Sequence, residues 1–213
     1  MTTDPTDGIH ALPAYPAGFR FDAPEAIANW RPLVHWLLVI PHVLVVVALQ
    51  RVAQGLAVIS WFAIVFTGRL PAGIARFQAM YLRYEIRTAT FAGFLREEYP
   101  PFTFDTTIDD PGDDPRVHVE VDPQIEDRNR WTTGFRLILA IPHLIVLAFL
   151  AIALVVVAII GFFAVLFTGR WPDGLRTFAL GVGRWWLRVQ AYLLLLTDDY
   201  PPFTLDELPM PSH

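Results

Sequence analysis

The sequence has no cysteine and no lysine; its 16 positive side chains are all arginine. Without cysteine there can be no disulfide, no thiolate metal site and no thiol nucleophile. Charge is scarce, at 17% of residues, and the formal balance is −5. No basic field exists to gather phosphates, so nucleic acid is not expected as a partner. Residues 1–28 are polar, acidic and proline-rich, without the short apolar core of a cleaved signal peptide. The first apolar run is therefore expected to act as the insertion signal. No phosphate loop, His-Glu zinc motif or nucleophile elbow occurs. Glu97 and Glu98, matched later by Asp198 and Asp199, read as the start of a solvated turn rather than as a catalytic dyad. No catalytic residue is nominated, and an enzyme is not expected.

What the chain does have is apolar surface and a repeat. Hydrophobic residues make up 54% of its 213 positions, and the mean hydropathy is +0.42. Adding 101 to a residue number lays 30–105 on 131–206 without a gap. Ile40-Pro41-His42 falls on Ile141-Pro142-His143, and Phe66-Thr67-Gly68-Arg69 on Phe167-Thr168-Gly169-Arg170. Pro71, Gly73, Arg83 and Arg87 fall on Pro172, Gly174, Arg184 and Arg188, and Tyr99-Pro100-Pro101-Phe102-Thr103 on Tyr200-Pro201-Pro202-Phe203-Thr204. About a third of the aligned positions are identical, more than shared hydrophobicity produces, so the chain is a tandem duplication.

These elements resemble a family of bacterial membrane proteins carrying domain of unknown function 4389, often in two copies. The resemblance covers both repeats and bears on architecture alone, because the family brings no activity with it.

Each repeat opens with a long apolar run, residues 32–67 and 134–168. A straight helix of that length spans about 50 Å against a hydrocarbon core of about 30 Å. The fold class expected is mainly α and integral to the membrane. Two parallel repeats each form a hydrophobic helical hairpin and an interfacial amphipathic helix, and short strands form a small cytoplasmic sheet. The first hairpin would turn at Gln50-Arg51 and Gln54-Gly55. The second has Ala151-Ile152 and Val155-Val156 there and would stay re-entrant, with its backbone satisfied by protein. One long tilted or kinked helix per run is the competing reading. With hairpins, Arg31, Arg69, Arg128, Arg130, Arg136 and Arg170 share one side and Arg51 stands alone across the membrane. The positive-inside rule then places that side, and both termini, in the cytoplasm of a multi-pass inner-membrane protein.

Gly68 and Gly169 are expected to end the hairpins, with new helices starting at Pro71 and Pro172. Arg76, Arg83 and Arg87, echoed by Arg184 and Arg188, form a stripe on one face of these third helices. Mid-bilayer guanidinium groups are costly, so the helices are expected to lie in the headgroup plane. Glu85 falls opposite the stripe and needs a partner. Phe19-Arg20-Phe21, Val117–Val121, Phe102-Thr103-Phe104 and Phe203-Thr204-Leu205 read as strands. The domain boundaries follow: an N-terminal tail (1–16), repeat one (17–106), a solvated acidic linker (107–115), repeat two (116–208) and a C-terminal tail (209–213), with both tails disordered.

His42 and His143 each follow a proline near mid-bilayer depth. The plain reading is that each neutral imidazole satisfies the carbonyl its proline frees. The sharper readings are an ion site, with His42, His143, Arg51 and Glu85 lining a polar path, or a haem or metal held by the two histidines. His35 lies one heptad earlier, but its counterpart is Arg136. Arg69 and Arg170 read as snorkelling residues on lipid phosphate, and the arginine stripe as a contact for anionic lipid or a partner. The function expected is a non-enzymatic accessory or interaction protein of the cytoplasmic membrane, with a protein partner or homo-oligomer. The alternatives are a small transporter or channel subunit and a haem or metal carrier; otherwise no cofactor is expected.

Overall fold

A computed structural model describes residues 14–209. The chain runs β1 (Ala17–Phe21), α1 (Arg31–Leu38), α2 (Ile40–Thr67), α3 (Ala72–Ala92), β2 (Val117–Val121), α4 (Arg130–Thr168) and α5 (Asp173–Leu193). It is mainly helical, with a two-stranded antiparallel sheet and two helices, α2 and α4, long and apolar enough to cross a membrane.

Neither apolar run folds back, so the expected hairpins are corrected to single long helices. The second run is one helix of 39 residues with Pro142 inside it. The first is broken at Val39 alone, which keeps right-handed helical dihedrals, before Pro41 sits in the first turn of α2. The polar group at the expected turn suits a helix equally well: Arg51 donates to Gln54 one turn on, at 3.2 Å. Reversing the chain there would also strand backbone N–H and C=O groups among apolar side chains. The reversals come later, at Gly68 and Gly169, with φ of 73° and 68°. Each returns its N–H to a carbonyl of the last turn, Ile64 or Val165, at 2.8 Å.

The long helices bury one narrow stripe. In α4 it comprises Thr133, Arg136, Ala140, His143, Leu147, Val157, Gly161 and Val165, with Leu150 and Leu154 half-buried between. Subtracting 101 gives the buried Pro32, His35, His42, Ser60 and Ile64 of α1 and α2. Steps alternating between three and four residues make this a heptad seam, two positions in seven. The other positions are mostly apolar and largely bare, as at Leu44, Phe66 and Phe149, which is 70% exposed, with Gln50, Arg51 and Gln54 the polar exceptions in α2.

Contacts at the helix ends show that the long helices run antiparallel. The N–H of Arg128, just before α4, donates to Gly68 at the end of α2, and that of Ile27, before α1, donates to Gly169 at the end of α4. These two bonds are equivalent under the repeat. The N–H of Ala28 donates to the Glu97 carboxylate and that of Asn129 to Asp198, again equivalent. A pseudo-twofold axis therefore relates the copies, and it passes through the sheet, where Phe19 pairs with Val119. It also passes through the contact of Glu85 with its own counterpart Trp186. Helices α3 and α5 lie between layers: α3 packs on α2 and β2, and α5 packs on α4 and β1. From Met80 to Phe91, α3 is almost wholly buried.

The strands expected at 102–104 and 203–205 do not form. Pro100-Pro101 and Pro201-Pro202 supply no N–H before them, and Phe102 and Phe203 instead stack over the histidines while staying about half exposed. Of the expected tails, only 14–16 and residue 209 are described. Tyr15 is buried there, and its N–H donates to Pro209 at 3.0 Å. Residues 1–13 and 210–213 lie outside the described residues.

Two glycines separate the readings. Nothing lies within 4 Å of a Cβ placed on Gly55, so Gly55→Ala should raise stability by about 0.5–1 kcal/mol, as in a helix interior. A Cβ on Gly161 would lie 2.1 Å from the Trp171 ring, and Gly161→Ala should cost about 1–3 kcal/mol. Chemical denaturation of both variants in one detergent measures the pair; loss of stability at Gly55 would restore a turn there.

Candidate functional site

The prolines of the long helices bring each histidine onto the seam, where a box of aromatic rings from the same repeat closes over it. His42 Nδ1 lies 2.6 Å from the Tyr84 hydroxyl, and its ring stacks on Phe102 at 4.1 Å and 9°. His143 stacks on Phe203 at 3.9 Å and 15°, and its Nδ1 accepts the Trp185 indole N–H at 3.1 Å. Indole nitrogen can only donate, so His143 is neutral and carries its proton on Nε2. In the turn before each proline a tyrosine bonds one carbonyl: Tyr99 donates to Leu38 at 3.2 Å and Tyr200 to Leu139 at 3.0 Å. The Tyr-Pro-Pro-Phe corners are thus clamps on the long helices.

These boxes keep the histidines apart. Each binds within its own repeat, and among the described residues no group of three or more His, Asp or Glu side chains comes together to hold a metal ion. Arg51 is exposed on α2 beside Gln54. Glu85 sits at the α3–α5 contact, where Trp186 donates to it at 3.4 Å. Burial there raises the Glu85 carboxyl above the usual range, against the hydrogen bond from Trp186 and the nearby Tyr81 and Gln190. The four residues nominated for a polar path therefore lie in separate surroundings.

Of the arginine stripe, Arg83, Arg87, Arg184 and Arg188 face inward, which corrects the expectation that they lie against lipid, and Arg76 alone is exposed. Arg83 donates to the carbonyls of Asp105, Thr107, Ile108 and Asp109 at 2.6–3.3 Å. Arg87 pairs with Asp110 and Asp113, each at 2.8 Å. Arg188 donates to Thr204 O at 2.6 Å, and Arg184 to Phe19 O and the Glu207 carboxylate. The acidic linker is correspondingly only partly solvated: its carbonyls meet Arg83 and its Asp110 and Asp113 carboxylates meet Arg87, while Thr107, Asp109, Pro111 and Gly112 stay exposed, because a buried guanidinium must find acceptors. Of the cations nominated for lipid, Arg69, Arg76 and Arg170 are exposed; Arg69 makes one loose pair with Glu126 at 3.7 Å.

Several residues of this network were not singled out from sequence. Arg96 and Asp114 form a pair at 2.5 Å with both side chains fully buried. Asp198, assigned to a solvated turn, accepts from Arg128 at 2.7 Å and from Arg136 at 2.6 Å. Arg136 also reaches the carbonyls of Tyr192 and Thr197, whereas His35 at the equivalent position stacks on Phe91. The usable signal was the repeat itself: Tyr84 and Trp185 are equivalent and meet the histidine Nδ1, and Glu97 and Asp198 are equivalent and accept the N–H of residues 28 and 129, Asp198 adding two arginines.

A family model described as Domain of unknown function (DUF4389) matches residues 29–103 and again 130–204. No curated protein and no solved structure matches the chain.

The buried pair sets a pH dependence. Burial alone would raise Asp114, but the Arg96 guanidinium and the N–H groups of Arg116 and Val117 outweigh it and hold the carboxyl below its usual range. A carboxyl lowered on folding stabilises the protein above its unfolded pKa of about 4 and loses that contribution as pH falls further. Stability should therefore drop on acidification below about pH 4. Asp114→Asn should flatten that dependence while lowering stability at pH 7, read from denaturation midpoints at both pH values.

Proposed function

The chain belongs to the family described as Domain of unknown function (DUF4389), and we propose that it is a non-enzymatic accessory protein seated in the face of a membrane. One observation carries this reading: over α1, α2 and α4 a narrow stripe is buried against the protein, and most other positions present exposed apolar side chains, with Arg51 and Gln54 on α2 as polar exceptions. A continuous apolar face of that extent on a soluble monomer would drive association. Lipid covers it without a second protein.

The same geometry favours helices lying in the membrane over helices crossing it. At 1.5 Å per residue α2 and α4 are about 42 and 58 Å long, beyond a hydrocarbon core of about 30 Å. Phe94, at the end of α3, accepts a bond from Trp171 beyond α4, whereas Arg128 meets Gly68 at the opposite end of the long helices. A crossing would oblige residues 94–129, polar and containing β2, to traverse lipid as irregular chain, and exposed irregular backbone is not tolerated there. With the pseudo-twofold axis along the membrane normal, both long helices lie in the bilayer face, both repeats keep one orientation, and the sheet and acidic linker face water. That side is the cytoplasm if the positive-inside rule applies. Arg69 and Arg170, at the helix ends, then stand at headgroup level, suited to anionic lipid.

The absence of native cysteine makes the test direct. Single variants Trp30→Cys and Thr67→Cys mark the two ends of the first apolar stretch, and Phe149→Cys marks the middle of α4. In right-side-out and inverted vesicles, the two end positions should react with a membrane-impermeant maleimide from the same side only. Phe149→Cys should resist it and be quenched by spin-labelled lipid. Labelling of positions 30 and 67 from opposite sides would establish a crossing helix instead.

A further inference from the structure

The two copies treat the same arginine differently. In repeat one, Asp110 bridges two donors: its Oδ1 takes the Arg87 guanidinium at 2.8 Å and its Oδ2 the outward N–H of Val119 in β2 at 2.7 Å. Asp113 adds a second carboxylate to Arg87 at 2.8 Å. The equivalent donors in repeat two are Arg188 and the N–H of Phe19, which pairs with Val119 across the sheet. The flanking ladder bonds, Asp22 N–H to Arg116 O and Asp122 N–H to Pro16 O, put residues 16 and 22 in hydrogen-bonded pairs, so the N–H of Phe19 also points outward.

Arg188 is 1% exposed. Among the described residues its one acceptor is the carbonyl of Thr204, and no carboxylate bonds to it. Its Nε has no partner, and burial lowers its pKa to about 10. The β-strands align at an offset of 100, which sets His10, Pro13 and Ala14 against Asp110, Asp113 and Asp114. None of the three carries a carboxylate, and Arg96, the partner of Asp114, is matched by Thr197. Arg188 is nonetheless retained, a buried cation to which Asp206 is close enough to act but, among the described residues, no carboxylate is bonded.

Arg188, Arg184 and Phe19 line an open cleft of about 470 Å³ on the sheet side, with Arg20 and His118 opposite. Of the acids around it, Glu207 is held by Arg184, Asp206 accepts from the Thr204 hydroxyl at 2.6 Å, and Glu120 is exposed.

We propose that this cleft binds an acidic peptide segment of a partner protein, one carboxylate of which bridges Arg188 and the Phe19 N–H as Asp110 bridges Arg87 and Val119. The occupant is an extended segment with two carboxylates about three residues apart, the chemistry that repeat one supplies to itself. The site lies on the face away from the long helices and works with or without a bilayer.

The probe is a fluorescent peptide with the sequence of residues 105–114, titrated by anisotropy onto the full chain in detergent. Saturable binding is expected, weakened at least tenfold by Arg188→Gln and unchanged by Arg176→Gln. A peptide with amides in place of its carboxylates at 110 and 113 should not bind; this arm leaves the protein untouched and decides the matter even if Arg188→Gln fails to fold. Lack of saturable binding, equal binding of acidic and amide peptides, or equal binding by folded Arg188→Gln protein overturns the proposal. So does binding that emerges only after removal of residues 1–13, which would mean that the chain fills the cleft itself.

Discussion

The architecture depends on how little of each long helix the protein covers. A heptad seam fixes α1, α2 and α4 to the body along their whole length, yet most positions outside it stay exposed, Trp61 on Thr133 and Phe162 on Phe94 being exceptions. A hydrophobic contact along one stripe holds a helix in place but cannot keep the remaining apolar surface from water. Every other element answers to that constraint. Helices α3 and α5 are sandwiched because they must offer an apolar face to the seam and a polar one to the sheet. The Tyr-Pro-Pro-Phe corners reach back to clamp the seam histidines and the carbonyls beside the prolines.

The second organising force is the need of buried arginine for acceptors. Arginine is well suited to this because its planar fork meets several oxygens at once. Arg83 gathers four backbone carbonyls, a use that ties an otherwise irregular loop to α3 without any strand. Arg96 with Asp114, and Asp198 with Arg128 and Arg136, pin the chain at opposite ends of the long helices. Such pairs add little net stability over an apolar core, but breaking one leaves a charge stranded. They specify which loop goes where.

Duplication supplies this framework twice, and the differences between copies are where roles can diverge. The glycines that end the long helices and the tyrosine clamps match residue for residue across the pseudo-twofold axis. The acidic wrapping does not: it exists once, between the copies, because the chain has one linker. Glu85 meeting Trp186, and His35 standing where Arg136 stands, are further points at which one copy is polar in a way the other is not.

The sequence by itself determined the duplication, its offset, both strands of the sheet, the glycines that end the long helices and the apolar character of the runs, because each is written locally in residue type or spacing. Tertiary structure alone decided the rest. Whether a run of 36 apolar residues (32–67) folds back or continues is not local, since Gln50, Arg51, Gln54 and Gly55 suit a turn or a helix; the seam against α3 settles it. The direction of the arginine stripe was illegible for a related reason. A stripe of cations on one helix face looks the same whether it meets lipid phosphate or a carboxylate folded over it from twenty residues away. In this chain the counter-charge came from the acidic linker, whose own sequence reads as solvated because the residues that solvate it are its neighbours only in space.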